Sequence, residues 1–138
     1  MRLLPFLCLT LTLQAETPTS GEESELVSFA QDLYRQKGTN ISRSAFDLDV
    51  MEVWGRVFYI RLVSRSSTLP DDLLQAFLIG GAVSQHARKP LDQIVVVANV
   101  EFSNQKEMIL RANGESCEKL YNNRMSPEDF TENWLRME

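Results

Sequence analysis

The densest hydrophobic run in the chain is Ile94–Phe102, IVVVANVEF. Four apolar residues stand together, Ile94 to Val97. Val100 and Phe102 then alternate with Asn99 and Glu101. The run predicts a strand covered on both faces in its first half and wetter on one face in its second. Its limits are about Gln93 to Phe102. The preceding segment, Leu69–Arg88, is apolar around most of a helical circumference through Leu73, Leu74, Ala76, Phe77, Leu78, Ile79, Ala82 and Val83. It predicts a largely buried helix. Thr68 with Asp71 offers a cap, Pro70 suits the first turn, and Pro90 ends it. Gly80-Gly81 costs about 1 kcal/mol per glycine in a helix interior. That cost makes sense where the helix backbone lies close to a sheet.

Upstream, Phe46, Leu48, Val50, Trp54, Phe58, Ile60 and Leu62 share one parity. They predict two strands, Phe46–Val53 and Val57–Ser64, joined at Trp54-Gly55-Arg56; one long strand bulged at Gly55 is the rival reading. Before them, Leu26, Phe29, Ala30, Leu33 and Tyr34 form one stripe of a 3.6-residue period, predicting a helix over Glu22–Lys37. Ser20 and Glu23 fit a capping box, and Gly38 a left-handed stop. Downstream, Lys106–Ala112 predicts a strand antiparallel to the central one, with a helix as the rival. Asn113-Gly114 is a turn or cap signal. Cys117, Leu120 and Tyr121 then predict a short helix. Ser126-Pro127-Glu128-Asp129 starts a last helix whose stripe is Phe130, Trp134 and Met137.

Strand, helix and strand in succession make a crossover between parallel strands, right-handed by the general rule. The pattern therefore predicts a single α+β domain over 22–138. Its mixed sheet of about four strands surrounds a β-α-β crossover, with N- and C-terminal helices packed on it. The length of 138 residues suits one core, and 43% hydrophobic with 24% charged residues is ordinary globular composition.

Residues 1–15 change the picture. Met1-Arg2 is a short basic start, Leu3–Leu13 is mostly apolar, and Ala15 precedes the acidic, polar run Glu16–Ser24. The stretch resembles a secretory signal peptide cleaved after Ala15, with residues 16–21 as a flexible leader. Cys8 lies inside the apolar run and lacks the surroundings of a lipoprotein site. Removal of this stretch takes Arg2 and no acid, moving the formal net charge from −5 to −6. A mildly acidic chain has no electrostatic footprint for nucleic acid or anionic lipid. No later segment is long enough to span a membrane. One cysteine, Cys117, then remains; it is either buried or the point of an intermolecular contact with another chain.

Little chemistry is concentrated anywhere. One histidine, His86, and one distant cysteine do not make a zinc site. Asp47 and Asp49 share a strand face near Glu52, without a calcium-binding loop; the solvated face of an edge strand accounts for them. A Cys117–His86 nucleophilic pair lacks any local motif, and no nucleophile elbow or phosphate loop is present. No catalytic, metal or cofactor residue is therefore assigned, and no cofactor is expected. Asn40-Ile41-Ser42 is a glycosylation sequon, relevant only in a host that uses it. Trp54, Arg56, Tyr59 and Arg61 are residue types favoured in protein contacts and form the candidate contact surface. The plainer account puts Trp54 and Phe58 in the core and Tyr59 and Arg61 on the other sheet face.

These readings favour an exported domain, secreted or in an envelope, that is not an enzyme and acts by contact with a protein partner. One alternative is a small-molecule-binding module with a pocket between helix 69–88 and the sheet. A second is a hydrolase with scattered carboxylates. The compartment has a direct check. Intact mass and N-terminal sequencing of protein from the native host are expected to find a chain beginning at Glu16 outside the cytosol. A full-length cytosolic chain would sink the export reading.

Overall fold

The amphipathic stripe nearest the N-terminus forms helix α1, Ser20–Gln36. The computed structural model describes residues 20–101, 107–133 and 135–137. The signal segment, most of the leader and the end of the central strand beyond Glu101 lie outside the described residues. Leu26, Ala30 and Tyr34 of α1 are buried, and Phe29 and Leu33 pack beside them. The helix begins at Ser20 itself, so the expected Ser20–Glu23 capping box gives way to another use of Glu23. Its carboxylate accepts the N–H of Leu48 at 3.0 Å and ties α1 to the edge of the sheet.

Strands β1, Phe46–Met51, and β2, Gly55–Ser64, form an antiparallel hairpin closing at Met51↔Gly55. The two-strand reading holds over the bulged one. Gly55 has φ +74°, and a Cβ there would run into the Asp92 carboxylate. Only glycine combines that turn with that approach. Helix α2, Leu69–His86, follows. Thr68 does not cap it with its side chain; its φ of −112° and ψ of −1° are not the extended conformation a cap needs. Its hydroxyl instead donates to Asp72 at 2.9 Å.

Strand β3, Gln93–Val100, runs parallel to β2 from Val57↔Gln93 to Ser64↔Val100. Strand β4, Met108–Asn113, is antiparallel to β3, so the strand reading of this run is correct. Asn113 caps helix α3, Gly114–Tyr121, by accepting from Ser116 N at 2.7 Å. Helix α4 covers Pro127–Asn133, and β5, Leu135–Met137, pairs with β4. This corrects the expected C-terminal helix through Met137. The outer edge of β4 offers unpaired backbone groups, and three extended residues satisfy them where more helix could not.

The sheet order is β1-β2-β3-β4-β5. Phe58, Ile60, Ile94, Val96 and Leu110 turn to one face and form a single core with α1–α4, through Leu26, Phe77, Val83, Cys117 and Phe130 among others. The chain is thus a small α+β domain with its helices on one side of a mixed sheet. No helix among the described residues is long and apolar enough to cross a membrane.

Helix α2 is held by two close approaches. A Cβ on Gly80 would stand 2.6 Å from Ile94 Cγ2, and one on Gly81 would overlap the carbonyl of Cys117 in α3. A side chain can shift; a helix backbone cannot do so cheaply. Gly81→Ala is therefore expected to lower stability by about 2 kcal/mol or more. Gly80→Ala should cost less, because improved helix propensity of about 1 kcal/mol offsets the strain on Ile94. Urea unfolding of the two variants checks the ranking; equal losses would contradict it.

Candidate functional site

The ladder between β1 and β2 ends at Phe46↔Ile60, whereas that between β2 and β3 continues to Ser64↔Val100. Among the described residues, Arg61–Ser64 therefore pair with a strand on one side only, the turn Arg43–Ala45 lying at the start of the other. A cleft of about 540 Å³ opens along this stretch. That is a usual size for a small-ligand site, roughly 300–1,000 Å³. Its walls come from Tyr34 with the loop 39–42 and Ala45, Arg61–Val63 of β2, Asp72 and Gln75 in the first turns of α2, Val97 and Asn99 of β3, and the acidic Glu107 just before β4. The cleft thus lies at the carboxyl ends of the parallel pair, where open α/β sheets commonly carry ligands. It is beside the start of α2, not beneath Gly80 and Gly81, where packing is closed.

The cleft contains one satisfied polar group and one unsatisfied. The Asp72 carboxylate accepts from Ser64 Oγ at 2.5 Å and from Thr68 Oγ1 at 2.9 Å. Ser64 is only 3% exposed, so Asp72 is the partner that makes its burial tolerable. Tyr34 is equally buried, at 3%, and its hydroxyl has no hydrogen-bond partner among the described residues. Burial, and secondly the negative charge of Asp72, push this phenol far above its usual range. It stays a neutral O–H donor without an acceptor. Buried tyrosines usually find one.

The four residues of the candidate contact surface divide. Arg56 turns to the helix side and forms an ion pair with Glu22. Tyr59 and Arg61 face the other side, with the Arg61 guanidinium 5.6 Å from the Tyr59 ring. Trp54 is half-buried under Arg111, whose guanidinium lies 4.9 Å from the indole, so it belongs to this side rather than to the helix-side core. Tyr59 donates to Met51 Sδ at 3.1 Å, and Arg111 to Gln93 Oε1 at 3.2 Å. Val57 and Val95 are buried on this face between those neighbours. Of these four, Arg61 alone also lines the cleft.

The weaker candidates separate too. Asp47 and Asp49 stand on the edge strand β1, and no group of three or more metal-ligating side chains exists among the described residues. His86 stacks on Phe29 at 4.0 Å and lies 3.5 Å from Glu25, joining α2 to α1. A second cleft of about 440 Å³ there is lined by Glu22, Glu25, His86 and Arg88. Cys117 is fully buried, and burial, then Glu118, push its thiol well up. Of the two alternatives the sequence left for it, the structure shows the buried one.

Tyr34, Ser64, Asp72, Gln75 and Asn99 were not singled out by sequence reasoning. Tyr34 was absorbed by the helical stripe and Asp72 by the helix dipole. The usable signal was a tyrosine at the last turn of a stripe, where its polar tip reaches the end of the core.

Two substitutions separate these roles. Tyr34→Phe removes an unsatisfied group, so stability should be unchanged or higher by up to about 1 kcal/mol. Asp72→Ala strands the Ser64 hydroxyl and should cost about 1–3 kcal/mol. Alkali gives an independent readout. The unfolded chain loses the Cys117 proton above about pH 8.5 and the Tyr34 proton above about 10, while the folded chain keeps both. The unfolded state then binds fewer protons, so stability falls with rising pH, by about 1.4 kcal/mol per pH unit for each group. Tyr34→Phe should lessen, but not abolish, the part that begins near pH 10, because burial and then Asp49 and Asp47 also raise Tyr59; urea unfolding from pH 7 to 11 measures the difference.

Comparison of the chain with protein-family models, curated proteins and solved structures finds no match.

Proposed function

We propose that the chain is an exported, non-catalytic binding domain whose ligand seats in the cleft at the carboxyl ends of β2 and β3. The observation that carries this reading is the cleft itself, at the carboxyl ends of the parallel pair, with Tyr34 in its wall and the buried Tyr34 hydroxyl behind it without an acceptor among the described residues. A ligand oxygen that reaches this hydroxyl through a small shift of the ring recovers a hydrogen bond worth about 1 kcal/mol net. Thr39, Asn40, Gln75 and Asn99 add neutral donors and acceptors around it, and Ile41, Leu62 and Val97 add apolar surface. A few placed polar groups on an apolar ground are what binding sites present. The hydrolase reading gains less, because Asp72 is already committed to two hydroxyls. Export follows from the sequence pattern of residues 1–15.

A second reading keeps protein contact on the sheet face opposite the helices. Val63 is 66% exposed there beside Arg61, and Trp54 and Tyr59 lie on the same side.

The two readings part on one variant. Gln75 is half-buried in the cleft wall, and Gln75→Trp fills the cleft while leaving Trp54 and Tyr59, which do not line it, in place on the opposite sheet face. Protein recovered from its native compartment is compared with this variant by native mass spectrometry. The cleft reading expects a ligand-bound species that Gln75→Trp loses, and that Tyr34→Phe weakens by about five- to tenfold. A bound species that survives Gln75→Trp would move the function to the open face.

A further inference from the structure

We propose that Glu23 and Asp49 hold the outer edge of β1 closed against pairing with a second copy of the chain. This edge stands apart from the cleft and its ligand. Strand alternation identifies the groups along it. The Arg56 carbonyl accepts from Asp92 N at 2.9 Å, and the Ser64 carbonyl accepts from Glu101 N at 2.8 Å. Both donors lie on the β3 side. Even-numbered residues of β2 therefore turn their backbone groups toward β3, and odd-numbered ones toward β1. Tyr59 and Val57 stand opposite Asp47 and Asp49. Asp47 and Asp49 thus turn their backbone groups inward, and Phe46, Leu48 and Val50 turn theirs outward.

Each of these three outward N–H groups already has an acceptor. Phe46 N donates to the Arg43 carbonyl of the preceding turn. Leu48 N donates to Glu23 Oε2 at 3.0 Å, and Val50 N to Asp49 Oδ1 at 2.8 Å. The two carboxylates come from opposite sides of the sheet, Glu23 from α1 and Asp49 from the open face. An edge with bare donors and acceptors is a template for another strand. Here a guest strand meets carbonyls but no spare donor. It can add only by displacing two charge-assisted bonds, about twice as strong as the neutral bonds it would form.

The guest always at hand is the same edge on another copy. Two β1 strands related by a two-fold axis at Leu48 pair antiparallel, with Leu48 opposite Leu48 and Phe46 opposite Val50. That register uses the Leu48 N–H of each copy, the group that Glu23 occupies. It also sets Asp47 of one copy against Asp49 of the other, a like-charge pair that opposes the same contact.

The test compares the full chain with Glu23→Ala/Asp49→Ala and Glu23→Gln/Asp49→Asn. Both double variants lose the same charges, but only the carboxamide pair keeps an oxygen for each N–H. Sedimentation gives the mass, and amide hydrogen exchange by NMR reports on Leu48 and Val50, over about a hundredfold range of concentration. The unaltered chain and the carboxamide variant are expected to exchange both amides slowly and alike at every concentration. The alanine variant should exchange them about tenfold faster when dilute, then double in mass and regain protection as concentration rises. An alanine variant that stays monomeric with both amides exchanging fast overturns the inference, because the edge is then closed without the carboxylates. Association that leaves Leu48 and Val50 unprotected overturns it by placing the contact elsewhere. Equal pairing by the carboxamide variant overturns it too, because charge and not donor occupancy then closes the edge. Asp49→Ala alone leaves α1 untouched and covers the case of a double variant that fails to fold. Val50 should then show the same loss of protection on dilution and recovery on concentration; an unchanged Val50 amide overturns the inference.

Discussion

Gly80 and Gly81 let α2 lie against two partners at once, the Ile94 side chain of the sheet and the Cys117 carbonyl of α3. Any side chain at either position would lift the helix from one or the other. The height of α2 over the sheet sets where its first turns come down, and so where Asp72 and Gln75 stand relative to the ends of β2 and β3. The same seat closes the space beneath the middle of the helix. The larger of the two clefts described lies at its N-terminal end.

Elsewhere, several buried polar groups are matched, although Arg56 Nε and Arg111 Nε, like the Tyr34 hydroxyl, have no hydrogen-bond partner among the described residues. Ser84 donates to Glu118 at 2.8 Å and accepts from Leu91 N at 3.3 Å. Asp92 accepts from Arg56 N and its carbonyl from Gly114 N, fixing the entry to β3 against the entry to α3. At the cleft, the Tyr34 hydroxyl has no partner among the described residues, and β2 runs on past the end of β1 beside the turn Arg43–Ala45. Polar groups shut away without partners are costly. Such a group beside open volume distinguishes the cleft from the charged crevice at His86, where the side chains already hold one another.

The elements were largely legible because their signals were redundant. In α1, stripe, acidic start and Gly38 agreed, and Gly38 does take φ +84°. In α2, all-round apolarity and the glycine pair foretold a buried, closely seated helix. The end of the chain was misread because helical spacing of Phe130, Trp134 and Met137 is also met by a helix that stops and a strand that follows. The deciding fact was a free edge on β4, which no local window contains. The cleft was hidden for a related reason. It depends on β1 being shorter than β2 at one end, a property of register rather than of composition. Asp72 and Tyr34, 38 positions apart, meet only through that fold.

The sheet order repeats the chain order without a single inversion. Each strand finds its neighbour among residues just made, apart from the one parallel pairing that must wait for α2. A chain with this connectivity can assemble by accretion. The β1–β2 hairpin closes over three residues, while docking of β3 requires loop closure across the whole helix. Local pairings form fast and the crossover is the slow entropic step. The pairing with the longest loop to close is thus the one that brings α2 down on the hairpin, and the glycine pair is what lets the helix come that close when it does.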